Sequence, residues 1–390
     1  MERRIAHLDM DAFYASVELL RYPQLKGLAV VVGGRRGAGP EPGADLKDFA
    51  RLRDYVGRGV ATTASYEARA LGVHSAMGLM KAAALAPDAI LLPADFDEYR
   101  RYSRRFKAAV AEIAPCIENR GIDEIYIDLT DVPGETAALA RRIKDAVRRA
   151  TGLGCSIGVT PNKLLAKIAS ELEKPDGSTV LTYADVPARI WPLPPRKING
   201  IGPKASLKLE ALGIRTIGEL ARAPLNLLVE HFGKHYGHWL NQAANGRDER
   251  PVVTASEPKS LSRETTFERD LDPRQDREVL SRILISLCER LSGDLAHKGY
   301  SSRTIGVKLR YDDFRTVTRD KTLTAPISDP QAILSTARAC LKRVPLDRRL
   351  RLLGIRASSL SRPGGTDTAG SPGSRQPSEN MKGENLRLFD

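Results

Sequence analysis

The chain has 390 residues, 61 of them Lys or Arg against 48 Asp or Glu, giving a formal charge of +13. At 42% hydrophobic and 28% charged it has a globular composition, which excludes fibrous and wholly disordered classes. At roughly 150 residues per domain the length suits two to four domains. No apolar run approaches the roughly 18 residues of a membrane span, so no membrane partner is expected. Met1-Glu2-Arg3-Arg4 leads into a strand-length segment, not a signal peptide. Cys116, Cys155, Cys288 and Cys340 lie far apart with no C-x-x-C pair, which excludes a zinc ribbon and points to a reducing, cytoplasmic setting.

The excess charge is uneven. Residues 1–190 carry 27 basic against 25 acidic side chains, residues 191–360 carry 30 against 19, and residues 361–390 carry four of each. A basic second half attached to a near-neutral first half suits a polyanion-gripping region, though solvated surface charge in a basic proteome fits the count equally well.

In chain order, Ile5-Ala6-His7-Leu8-Asp9 reads as a buried strand ending in an acid, and Asp11–Leu20 has helical spacing with Phe13, Val17 and Leu20 on one face. Leu28–Val32 is a second strand, followed by a Gly/Pro-rich patch from Gly33 to Gly43. Asp45–Leu52 has an N-cap Asp and apolar residues at 46, 49 and 52, which predicts a short helix. Between Glu118 and Thr130 lies an alternating strand with Ile125, Ile127 and Leu129 on one face. An amphipathic helix over Gly134–Ala150 and a strand over Cys155–Val159 follow. Strands interleaved with helices predict an α+β or α/β core over the first 180 or so residues.

The prolines at 187, 192, 194 and 195 mark a boundary, after which residues 196–250 look helical in short pieces punctuated by Gly200, Gly202, Gly213, Gly218 and Gly233. Ala255–Lys259 reads as a tether. Strands at Ser302–Tyr311, Thr316–Leu323 and Leu352–Ala357, with helices at Arg274–Leu295 and Pro330–Arg343, form another α+β unit. Residues 361–384 are rich in Ser, Gly and Pro and predict disorder before a final apolar Leu386-Arg387-Leu388-Phe389.

If the strand ending at Asp9 neighbours the one carrying Asp123-Glu124, three carboxylates converge at one sheet edge. Clustered carboxylates repel unless cations lie between them, and hard oxygen ligands suit Mg²⁺, which also accepts substrate phosphates. Two such ions roughly 4 Å apart serve an in-line displacement. The competing reading, strand-capping acids paired with Arg120, suffices for one Asp but fits an acid plus a tandem Asp-Glu less well.

His7-Leu8-Asp9-Met10-Asp11-Ala12-Phe13-Tyr14-Ala15-Ser16-Val17-Glu18 closely resembles the opening motif of the Y-family DNA polymerases, of the DNA polymerase IV kind. The resemblance continues through Ser65-Tyr66-Glu67-Ala68-Arg69, Ile122-Asp123-Glu124-Ile125-Tyr126, Ser156-Ile157-Gly158-Val159, Asn162-Lys163-Leu164-Leu165-Ala166-Lys167 and Lys174-Pro175-Asp176-Gly177. It covers about residues 3–357 in order. It implies an α+β, multidomain right-hand polymerase: palm (1–19 and 96–182), fingers (20–95, with an extended 33–59 loop), helical thumb (183–254), α+β little finger (255–360) and a disordered tail (361–390). The implied activity is low-fidelity, template-directed addition of deoxynucleoside triphosphates to a primer 3′-hydroxyl, in translesion synthesis on primer–template DNA, without proofreading. No separate exonuclease domain fits the length, and a monomer is expected.

By position, the resemblance makes Asp9, Asp123 and Glu124 the catalytic acids. With the Met10 carbonyl they would hold two Mg²⁺ per active site. Phe13, Tyr14, Thr63, Tyr66, Arg69 and Lys174 match the nucleotide-binding positions, with Tyr14 excluding a ribose 2′-hydroxyl. Read locally, Tyr14 fits a core aromatic better. Tyr66 and Arg69, three apart, share a helix face, where a guanidinium fork suits phosphate oxygens. Gly200, Gly202 and Lys204 fall in a helix-hairpin-helix resemblance that would meet a DNA phosphate at a helix N-terminus. Arg196, Lys197 and Lys208 flank it. Arg303, Lys308 and Arg310, with Arg315, Arg319 and Lys321, are spaced to share a strand face against DNA. Leu386, Leu388 and Phe389 resemble a sliding-clamp-binding peptide, with Asn385 where Gln is usual. Gly121 stands where the family usually has Ser, and residues 33–59 are longer than usual. A catalytically idle scaffold is disfavoured by the retained acids, and a two-metal nucleotide cyclase by the hairpin and the basic second half.

Overall fold

The computed structural model describes residues 3–34 and 39–362. The predicted clamp peptide (Leu386, Leu388, Phe389) and nearly all of the 361–390 segment lie outside the described residues. The chain divides into two units, one through Ala255 and one from Ser256.

In the first unit, β1 (Ile5–Met10) leads through Ala12, in the left-handed conformation at φ 43°, into α1 (Phe13–Arg21). Then come β2 (Val30–Gly33), β3 (Ala61–Ala64), α2 (Tyr66–Ala70), α3 (Leu79–Leu85) and β4 (Ile90–Leu92). The next run is α4 (Phe96–Ala111), β5 (Ile117–Asn119), β6 (Glu124–Asp128), α5 (Thr136–Thr151), β7 (Cys155–Thr160), α6 (Lys163–Leu172) and β8 (Ser178–Val180). Four further helices, α7 (Pro203–Ala211), α8 (Ile217–Arg222), α9 (Leu225–Phe232) and α10 (Lys234–Ala244), close the unit.

The central sheet has the order β5-β6-β1-β7-β8 and is antiparallel except for β7–β8. Successive residues of a strand point to opposite faces. Ala6, Leu8 and Met10 therefore join Ile125, Ile127, Phe106, Val110, Ile143 and Val147 in the core beneath α4 and α5. Ile5, His7 and Asp9 face the other way, where Ile5 and Tyr126 meet Ala166 of α6. The expected alternation of β6 holds for direction, but both faces are covered, and Tyr126 is as buried as its neighbours. α6 is itself sandwiched, because Leu164, Leu165 and Ile168 join the core of the four-helix segment with Leu209, Leu220, Leu228 and Leu240.

A smaller sheet has the strand order β3-β2-β4. The single helix predicted over Asp45–Leu52 is instead two 3₁₀ turns, Leu46–Asp48 and Leu52–Asp54. Asp45 caps as expected. Phe49, however, packs edge-on against Tyr22 at 5.2 Å, and Arg51 bridges Ile90, so the chain must extend between the turns. Gly218, predicted to break helices, lies inside α8, where an added Cβ would come 2.9 Å from Trp191 Cβ.

The second unit is the sheet β11-β10-β12-β9 with two helices on one face. Its elements are β9 (Ser260–Leu271), α11 (Arg277–Lys298), β10 (Ser301–Tyr311), β11 (Thr316–Ile327), α12 (Pro330–Leu341) and β12 (Leu350–Ser361). The strand β9 begins at the residue after the predicted tether and has no counterpart in the sequence reading.

Candidate active site

The register aligns Asp9 with Glu124 across β1–β6 and with Ser156 across β1–β7. Asp123 directly precedes β6 and its carbonyl accepts from Met10 N–H at 3.0 Å. The three predicted acids thus meet at the end of the central sheet. A cleft of about 240 Å³ opens there, lined by Asp9, Met10, Asp123 and Lys174 from the sheet side. Phe13 and Tyr14 reach it from α1, Thr63 from β3, and Tyr66 and Arg69 from α2. Every predicted metal and nucleotide residue except Glu124 lines it. Thr62, Ser75 and Glu171 join the lining without having been predicted.

Each contributor is locally fixed. Tyr14 stacks on Tyr99 with centroids 4.3 Å apart, whereas Phe13 is a core residue, 3% exposed. Ser65 caps α2, accepting from Ala68 N–H, which starts the short helix bearing Tyr66 and Arg69. The Arg69 guanidinium sits 5.2 Å from the Tyr66 ring centroid, as the three-residue spacing predicted, and its Nε donates to the Ala64 carbonyl.

The electrostatics are those of buried acids held by lysines. Burial pushes the Asp9 and Asp123 carboxyls above their ordinary values, with Lys174 opposing the shift at Asp9. Lys174 Nζ spans Asp9 Oδ1 and Glu171 Oε1, each at 2.6 Å; burial alone would lower its pKa, but the two carboxylates raise it. Glu124 behaves oppositely. Its Oε2 accepts from Lys167 Nζ and lies 3.2 Å from His7 Nε2, and the His7 hydrogen bond leads in holding its pKa to about 2. His7 is fully buried, its Nδ1 is 2.7 Å from Ser170 Oγ, and burial lowers its pKa. Oxygen or nitrogen ligand atoms of His7, Asp9 and Glu124 lie within 4.8 Å of one another. Both His7 nitrogens are engaged by Ser170 and Glu124, so the donors left to face the cleft are carboxylate oxygens. That donor set, with two acids pushed up by burial, fits a hard divalent cation.

One carboxylate went unnoticed in the sequence. Asp11, 6% exposed, takes Ser156 Oγ (2.8 Å) and the Tyr66 hydroxyl (3.4 Å) on Oδ1, and Asp176 N–H (2.8 Å) on Oδ2. It ties the β1 end to the Tyr66 helix and to the turn after Lys174. Burial and the Asp11 charge push the Tyr66 phenol up to about 12. Lys167 and Glu171, four apart on one face of α6, are the sequence signal that could have found the lysine brace, and Asp11, two residues beyond Asp9, the one that could have found the second carboxylate.

At the helical hairpin, Gly200 (φ +115°) lies against Trp239, where a Cβ would come 2.7 Å from the indole. An added Cβ at Gly202, the residue before α7, would meet no protein atom, so that helix start is open, with Lys204, Arg196 and Lys197 exposed beside it. Lys208 instead donates to the His231 carbonyl and covers the Phe232 ring. In the second unit the expected shared basic face divides. Lys308 and Arg310 pair with Thr318 and Thr316 on the face away from the helices, whereas Arg319 and Lys321 pair with Val307 and Ile305, on the helix side. Arg303 sits at a register irregularity between Ser302 and Thr304. Arg315 bonds Asp313 in the turn.

Residues 8–171 match the impB/mucB/samB family model and residues 258–370 match the model of that family's C-terminal domain. Residues 196–248 match the thumb domain of DNA polymerase-iota. DNA polymerase IV of Alkalilimnicola ehrlichii is 40% identical over 363 residues, covering 92% of this chain and 96% of the relative. A solved Y-family DNA polymerase chimera, Dbh-Dpo4(243-245)-Dbh, superposes with a TM-score of 0.77 at 27% identity, covering 92% of this chain and 99% of that one. The chain belongs to the Y-family DNA polymerases. Similar members include DNA polymerase IV of Streptomyces coelicolor, 40% identical over 92% of this chain and 71% of the relative. That of Methanoculleus marisnigri is 39% identical over 92% and 94%. Four of the six motifs quoted from the sequence, those at His7–Glu18, Ser65–Arg69, Ile122–Tyr126 and Lys174–Gly177, contribute residues to the cleft.

Proposed function

We propose that the cleft at the end of the central sheet is the nucleotidyl-transfer site of this polymerase and that Asp9, Asp123 and Glu124 are its catalytic acids. The chain is a low-fidelity, template-directed DNA polymerase that adds deoxynucleotides to a primer 3′-hydroxyl in translesion synthesis, without proofreading. The observation that carries the site assignment is the convergence of Asp9, Asp123, Tyr14, Thr63, Tyr66, Arg69 and Lys174, drawn from four separate stretches of sequence, on one cleft. Asp9, Asp123, Glu124 and the Met10 carbonyl would hold two Mg²⁺ ions. When bound, such ions lower the pKa of an attacking hydroxyl and hold a departing pyrophosphate.

The chain's own groups do the rest. Arg69, Tyr66, Thr63 and Lys174 bind the triphosphate, Lys174 as a compact charge already poised beside Asp9. Phe13 backs the nucleotide site from the core. Tyr14, braced on Tyr99, would exclude a ribose 2′-hydroxyl. His7 and Lys167 keep Glu124 ionised. The central sheet with α4–α6 serves as palm, residues 20–95 as fingers, 183–254 as thumb and 255–360 as little finger. Gly200, Gly202 and Lys204 would meet backbone phosphates, as would Lys308, Arg310 and Arg303.

The terminal Leu386, Leu388 and Phe389 would dock on a sliding clamp, so deleting residues 385–390 should remove clamp stimulation and spare basal extension. The protein would act as a monomer in the cytoplasm, a setting consistent with its four free cysteines. No helix among the described residues is long and apolar enough to cross a membrane. The functional test is single-nucleotide insertion by the wild-type chain opposite undamaged and lesion-bearing template positions. Insertion at both is expected; failure on the undamaged template refutes the proposal.

A further inference from the structure

Glu171 stands in the last turn of α6, three residues before Lys174, and the fold brings both to Asp9 near the end of β1. It is a third carboxylate lining the cleft, beside Asp9 and Asp123, and was not among the predicted acids. Glu171 Oε1 and Asp9 Oδ1 accept from the same ammonium, each 2.6 Å from Lys174 Nζ. The two acceptors differ in setting. The Asp9 side chain is 17% exposed and that of Glu171 40%, with Lys174 at 18%.

The ammonium on Asp9 Oδ1 occupies an oxygen that a divalent ion needs. Two cations at contact distance on one part-buried carboxylate repel strongly, so an ion reaches that oxygen only as Lys174 gives it up. An ammonium left part-buried without a counter-charge is costly. Glu171 removes that cost, because a lysine has three donors on a flexible four-carbon stem and Lys174 can release one acceptor while keeping the other. Against burial, the hydrogen bond from Lys174 and the charges of Lys174, Lys167 and Lys197 hold the Glu171 carboxyl below its ordinary value. Glu171 therefore remains an anion for the ammonium to fall back on.

We propose that Lys174 is the internal cation of Asp9 in the unloaded site and that Glu171 is the positioning residue that receives it, keeping the ammonium in the cleft for the triphosphate when a divalent ion takes Asp9. Glu171 acts through Lys174 and holds no ion itself. Without Glu171 the displaced ammonium has no carboxylate partner, so Lys174 yields Asp9 less readily. This inference rests on the polymerase reading above.

The test is binding of Mn²⁺, which carboxylate oxygens take as they take Mg²⁺, to the full chain without DNA or nucleotide. Loss of the free-ion electron paramagnetic resonance signal measures it, and the part abolished by Asp9→Asn is the site concerned. Lys174→Met should tighten that site about tenfold and Glu171→Gln should weaken it about tenfold, the lower weight of one hydrogen bond to a charged group. Added to Lys174→Met, Glu171→Gln should change the affinity by less than about twofold, because the ammonium through which it acts is gone. A Glu171 that merely attracted the ion by its own charge would have the same effect in both backgrounds. Equal effects in the two backgrounds, or wild-type affinity in Glu171→Gln, overturn the role of Glu171. Unchanged or weaker binding in Lys174→Met, or Mn²⁺ binding that Asp9→Asn leaves intact, overturns the lysine as occupant of Asp9. Mg²⁺-dependent primer extension by the wild type, run alongside, separates the two levels: its absence sinks the polymerase reading, whereas extension with equal Glu171→Gln effects sinks this inference alone.

Discussion

Removing the Glu118 carboxylate should destabilise the first unit more than almost any other single side-chain change. Lys163 opens α6 at 5% exposure, and Glu118 on β5 is 7% exposed. The two form an ion pair, and the ammonium also donates to the Pro251 carbonyl at 3.2 Å and lies 5.0 Å from the Tyr126 centroid. Glu118 Oε2 further accepts from Val253 N–H at 2.8 Å. Asn162 Nδ2 to the Gly246 carbonyl (2.7 Å) and Leu164 N–H to Asp248 (3.0 Å) complete the attachment of residues 246–253 to α6.

Glu118→Ala leaves an ammonium buried without its counter-charge, which costs about 3–5 kcal/mol. At roughly 2–4 °C per kcal/mol for a unit of this size, the first unit's Tm should fall by about 10 °C. Thermal unfolding followed by circular dichroism measures this, and hydrogen exchange at residues 246–253 should rise with it. Glu118→Leu combined with Lys163→Met removes both charges and should recover most of the loss, because burying a pair gains little over packed apolar groups. A Glu118→Ala Tm within about 2 °C of wild type would refute the reasoning.

Asp11→Asn should raise the KM for the incoming nucleotide about tenfold with a smaller change in kcat, since bonds to a charged acceptor are worth about 1.5–3 kcal/mol; a fall in kcat alone would contradict its positioning of Tyr66 and the Lys174 turn. Tyr14→Ala should admit ribonucleotides in single-nucleotide insertion, and unchanged sugar discrimination would sink the gate. Asp123, raised by burial, is costlier to ionise folded than unfolded, so Asp123→Asn should raise the Tm at pH 7 in chelator; a lower Tm there would contradict it. Glu124, held near 2, has the opposite sign. The stability it contributes is complete above its ordinary pKa near 4.5 and is lost as pH falls toward 2, so a Glu124→Gln deficit in Tm that persists unchanged at pH 3 would refute the account.

The acids of the cleft were legible locally, as an acid ending an apolar strand and a tandem Asp-Glu opening another, whereas Tyr14, Tyr66 and Arg69, which alone read as core or surface residues, were legible only through the family resemblance. What escaped depends on contacts distant in sequence. Glu124 turns to His7 and Lys167 because register sets it beside His7 and beneath α6, which no local spacing states. β9 was missed because Ser-Leu-Ser-Arg-Glu-Thr-Thr-Phe-Glu-Arg-Asp-Leu is an edge strand, exposed along one side, whose inward positions 263 and 265 are Arg and Thr between Leu261 and Phe267, so the hydrophobic alternation that marks a strand is broken. Arg319 and Lys321 were grouped with Lys308 because charge spacing alone leaves open which face of the sheet each strand presents. The 45–52 helix failed where Phe49 found Tyr22, a tertiary contact overriding a good cap.

The central claim is that the acids meeting at the end of β1 and β6 perform metal-dependent nucleotidyl transfer. Its most direct test is extension of a primer on an undamaged template by the purified chain and by Asp123→Ala, each titrated with Mg²⁺. Mg²⁺-dependent extension by the wild type, lost by about a hundred- to a thousandfold in Asp123→Ala as for groups that stabilise transition-state charge, is the predicted result. Equal extension by the two chains would contradict it.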